Sequence, residues 1–60
     1  MLLQQVEAHL QATGMAATKF GRLAAHDPRF VLDLRMGRQP RAATEQRIRH
    51  YIAAQAAGSA

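Results

Sequence analysis

Sixty residues make one small domain with a small core, and the lack of cysteine removes disulfides and thiolate metal sites as reinforcement. No apolar run approaches the ~20 residues of a membrane-spanning helix. Gln4 and Gln5 follow Leu2 and Leu3 too soon for an export signal, so a soluble cytoplasmic protein without a membrane partner is expected.

The net charge of +4 is concentrated in mid-chain. Lys19, Arg22, Arg29, Arg35, Arg38 and Arg41 are opposed there only by Asp27 and Asp33, whereas Arg47 and Arg49 balance Glu7 and Glu45. A basic centre made almost wholly of arginine suits a polyanion, because the planar guanidinium forks onto phosphates and guanine edges. Abundant alanine with few aromatic and β-branched residues predicts an all-α fold.

The first predicted helix runs from about Leu2 to Ala12, with Leu3, Val6 and Leu10 as its apolar stripe and Gly14 as its left-handed stop. The second covers about Ala17 to Ala24 or Ala25, burying Phe20, Leu23 and Ala24. Met15 and Phe20 have hydrophobic-staple spacing around Ala16. Gly21 inside this helix costs about 1 kcal/mol relative to alanine, which implies close approach by another backbone. The third helix has the clearest start: Asp27 as N-cap, Pro28 at the first helical position, Val31 and Leu34 inward, then Gly37 and Pro40 as stops. The fourth begins between Arg41 and Thr44 and turns Thr44, Ile48, Tyr51 and Ile52 to one side. A domain of residues 1–55 with a flexible tail over 56–60 is expected, the alanine-rich end fraying.

The stretch FGRLAAHDPRFVLDLRMGRQP carries the functional signal. Phe20-Gly21 is a large-apolar/small pair, Ala24 follows four residues later, Ala25 is small at the turn, Val31 and Leu34 anchor the next helix, and a Gly-x-x-Pro tail follows. This register resembles the helix-turn-helix of the Cro/lambda-repressor type, the XRE-like family, with Ala25 where the turn glycine is usual. The resemblance covers about residues 15 to 52. It implies a four-helix, lambda-repressor-like domain, with or without a vestigial fifth helix. It also implies sequence-specific binding of double-stranded DNA as a transcriptional regulator, a repressor by expectation.

By position, the resemblance puts Pro28, Arg29, Phe30 and Asp33 on the base-contacting face and Thr18, Lys19, Arg38 and Arg41 on the DNA backbone. Arg29 suits guanine O6 and N7, and Phe30 a thymine methyl. Asp33 suits a cytosine amine or an ion pair with Arg29. A homodimer through Tyr51 or Ile52 is expected, since a partner would add to a small core. The alternative is a protein-interaction module docking a partner helix on Phe30, Leu32 and Met36. His9, His26 and His50 lie too far apart for a metal site, with His26 expected at the turn and the other two in solvent. No nucleophile–base pair or carboxylate cluster is visible, so no enzyme activity, cofactor or small-molecule ligand is expected.

Overall fold

In the computed structural model, which describes residues 1–58, four helices follow one another: α1 (Leu2–Thr13), α2 (Ala17–Ala25), α3 (Phe30–Arg35) and α4 (Ala42–Gly58). There is no strand among the described residues, and the fold is all-α. Among the described residues no helix is long and apolar enough to cross a membrane.

The core draws one fully buried side chain from each helix: Val6, Phe20, Val31 and Ile48. Leu2, Leu10, Ala24, Phe30 and Leu34 surround them, and Tyr51 and Ile52 pack against the cluster from α4. The α1 stripe differs from the predicted one by a residue. Leu2, Val6, His9 and Leu10 are buried, at i, i+4, i+7 and i+8, and Leu3 stands at the margin. His9 is therefore a core residue, 8% exposed, and not a solvated one. Its ring centroid lies 5.4 Å from Phe20 and 6.2 Å from Tyr51, so it forms part of an aromatic cluster joining α1, α2 and α4. Leu23, expected inside, is 51% exposed, because the buried face of α2 is set by Phe20, Gly21 and Ala24.

The helix ends follow from local chemistry. Gly14 takes φ 71° and its N–H bonds the Leu10 carbonyl at 2.8 Å, a left-handed stop that any side chain would strain. Gly37, at φ 94°, closes α3 with a paired hydrogen-bond pattern: Gly37 N–H to Leu34 at 3.0 Å and Arg38 N–H to Asp33 at 3.0 Å. The α4 helix continues to Gly58, past the expected boundary at residue 55, since its alanines favour helix without tertiary support. The last two residues of the expected flexible tail, Ser59 and Ala60, lie outside the described residues.

Two ion pairs brace this arrangement. Arg35 on α3 grips Glu7 on α1 with two hydrogen bonds of 2.8 Å. Arg49 joins Glu45 within α4 at 2.8 Å and reaches Gln5 on α1 at 2.7 Å. The hydrogen bonds from Arg35 hold the Glu7 carboxyl below its ordinary range; desolvation opposes this and the guanidinium charge assists it. A lowered carboxylate pKa stabilises the fold above the ordinary glutamate range, and that contribution disappears as pH falls through the lowered value. A Glu7→Gln variant is accordingly expected to lose less melting temperature than the parent between neutral pH and about pH 3. Parallel losses in the two proteins would show that this pair carries no acid dependence.

Candidate nucleic-acid interface

The connection between α2 and α3 begins at a close backbone approach. His26 adopts φ 55°, and it, not Ala25, is the left-handed residue of the turn. Ala25 is still helical, so the change of direction falls one residue later than the spacing predicts. The N–H groups of His26 and Asp27 both bond the Gly21 carbonyl, the second at 3.0 Å. This folds the Asp27 carbonyl onto α2 directly at Gly21. A Cβ there would collide with the Asp27 carbonyl oxygen and lie 3.3 Å from its carbon. The close approach inferred from Gly21 is therefore present, and its partner is the turn itself.

Asp27 works differently from the expected cap. Its Oδ1 accepts the Arg29 N–H at 2.9 Å and its carbonyl accepts the Phe30 N–H at 3.1 Å. These bonds close a separate turn over Asp27-Pro28-Arg29-Phe30, and α3 starts at Phe30 instead of Pro28. Arg29, at φ −94° and ψ 1°, sits in the bridge region just outside the helix. The aspartate thus orders the entry to α3 from two residues further back.

The expected base-contacting residues separate. Pro28 and Arg29 are exposed at the turn. Phe30 is not on the outer face: it is 7% exposed and belongs to the core with Val31 and Leu34. The reason is periodicity, since Phe30 lies four residues before Leu34 and one before Val31, on their side of the helix. Asp33 pairs with Arg38 at 3.4 Å, not with Arg29. The outward positions belong instead to Leu32 on α3, 45% exposed, and to its C-cap Met36, 84% exposed, at i, i+4.

The expected backbone-contacting residues stay available. Thr18 and Lys19 are exposed on the first turn of α2, and Arg41 is exposed just before α4. Arg38 leans on Asp33 while remaining largely in solvent. A cleft of about 390 Å³ between α3 and the loop to α4 brings Asp27, Asp33, Arg38 and Arg41 together. Tyr51 and Ile52, on which the expected homodimer rests, are half-buried against the core of their own chain.

The charge pattern sharpens once partners are assigned. Glu7, Asp33 and Glu45 each hold an arginine, and Asp27 is engaged by a backbone N–H. Lys19, Arg22, Arg29, Arg41 and Arg47 have no carboxylate partner among the described residues. Lys19 and Arg22 stand three apart and exposed on α2, so they share a face. Arg35 drops out of the basic stretch because Glu7, 28 residues away in sequence, neutralises it. Arg22 and Arg47 join the unpaired set although the family register did not single them out.

No family model, no curated protein and no solved structure matches this chain.

Proposed function

We propose that this domain binds double-stranded DNA through α3 and the turn before it, and that it acts as a transcriptional regulator of the repressor kind. One observation carries the reading. Among the described residues every carboxylate side chain is engaged, while Lys19 and Arg22 on α2, Arg29 in the four-residue turn 26–29 that joins α2 to α3, Arg41 just before α4 and Arg47 on α4 have no carboxylate partner. Two helices joined by a turn of that length are the unit that places a second helix in a major groove about 12 Å wide. Unpaired arginines and lysines are what a phosphate backbone attracts, and arginine adds the fork that guanine O6 and N7 accept.

Salt tests this directly. Neutralising about five phosphates gives a slope near −4.5 in log affinity against log salt, or roughly a 500-fold loss between about 50 and 200 mM. Arg41→Ala is expected to lower that slope by about one and to weaken all sequences alike. Arg29→Ala is expected to relax one base position, a bidentate arginine–guanine pair being worth about 1–3 kcal/mol. A flat salt response, or no duplex retained from a random pool, overturns the reading.

A further inference from the structure

We propose that Leu32 and Met36 read thymine 5-methyl groups, so that the sequence preference of this domain is set by apolar contact on α3 as well as by Arg29. The inference rests on the DNA-binding reading. Phe30, Val31 and Leu34 fill the inner side of this six-residue helix, and Arg35 turns to Glu7. What faces outward is an apolar pair, Leu32 and Met36, one helical turn apart. In water such a pair gains nothing from exposure, and an apolar partner would stabilise it.

Two arguments choose the occupant. The first is size: six residues span only about 9 Å, and two side chains present a few hundred Å² at most, against roughly 800 Å² per partner in a stable protein interface. A patch this small suits a contact of methyl size. The second is charge. Arg29 precedes the pair and Lys19 and Arg22 remain exposed on α2, all three without a carboxylate partner, whereas Arg38, which follows the pair, leans on Asp33. The occupant must therefore be an apolar group set among anions. The thymine methyl is the apolar group that the base edges of a major groove offer, and phosphates border it on both sides. The methyl contact that the sequence register assigns to Phe30 passes to these two residues.

Deoxyuridine provides the test, since it lacks only the methyl and keeps the hydrogen-bonding edge of thymine. A duplex retained from a random pool by the whole protein is remade with thymine replaced by deoxyuridine at one position at a time. At one or more positions the parent protein is expected to bind about fourfold more weakly, the loss for one buried methyl. A protein carrying both Leu32→Ala and Met36→Ala is expected to bind the thymine and deoxyuridine duplexes equally, with its melting curve unchanged. Equal binding of both duplexes by the parent overturns the inference and leaves the DNA reading standing. So does a thymine preference that persists in the double variant, which would assign the methyl contact to another side chain. Failure to retain any duplex removes the DNA reading, and the inference with it.

Discussion

Phe30→Ala is expected to cost about 3–5 kcal/mol of stability, the range for removing a buried aromatic side chain. A 60-residue domain has only about 3–9 kcal/mol in total on the usual per-residue scale, so this variant should be partly or wholly unfolded at room temperature. Phe30 is 7% exposed and belongs to the core with Val31 and Leu34. A phenylalanine on a DNA-reading face would give the opposite result, because truncating an exposed side chain changes stability by about 0.5 kcal/mol or less. Leu32→Ala, two residues away and exposed, is the matched control. Urea unfolding followed by circular dichroism separates the two cases. A Phe30→Ala midpoint equal to that of the parent would place the ring outside the core and overturn the fold described for α3.

Gly21→Ala is expected to destabilise the domain by about 2–3 kcal/mol, against the sign of helix propensity. In an unencumbered helix the substitution would gain about 1 kcal/mol. Here the new methyl meets the Asp27 carbonyl, a backbone group that cannot swing aside as a flexible side chain can. Relief requires the turn to lift from α2, which loosens the Asp27 N–H bond to Gly21 at 3.0 Å and tilts α3 away from its seat. Overpacking typically costs about 1–3 kcal/mol and occasionally more; against a backbone group that cannot yield it reaches about 3–4 kcal/mol here, which leaves about 2–3 kcal/mol after the propensity gain. Gly14→Ala isolates the backbone contribution. Its Cβ would meet nothing within 4 Å, so only the left-handed φ of 71° opposes it, at about 1–2 kcal/mol. Thermal melts of the two variants would reject the steric argument if Gly21→Ala proved the milder, or raised the melting temperature.

Four helices and most of their ends could be read from the chain because the signals are local. Gly14 and Gly37 stop their helices through a conformation that glycine adopts without strain, and Gly21 announced a close contact by its cost inside a helix. The readings that failed needed information from elsewhere in the chain. His26 takes the left-handed position because both turn N–H groups converge on Gly21, which residue preference at Ala25 does not reveal. Leu23 is apolar and helical yet exposed, since neighbouring helices leave that side of α2 uncovered. Phe30 is instructive in another way. Its spacing to Leu34 already placed it inside, and the outward assignment came from matching positions in a family register. Lys19, Arg29 and Arg41 were named from charge and position, and the structure leaves all three exposed. The neutralisation of Arg35 by Glu7 was hidden by the 28 residues between them.

The meeting of Val6, Phe20, Val31 and Ile48 has a consequence for how this architecture is inherited and reused. Each helix supplies one wall of a single buried cluster, so no pair of helices keeps a closed interior without the other two. The segment of α2, turn and α3 is therefore not a portable cassette. Transplanted alone, it would carry the bare inner faces of Phe20 and Val31 into water and lose the register that presents α3 outward. Opening any one helix should open all four, which makes the chain a single cooperative unit despite its short helices. A host offered this motif would have to supply substitutes for α1 and α4 before it could use the surface that α3 displays.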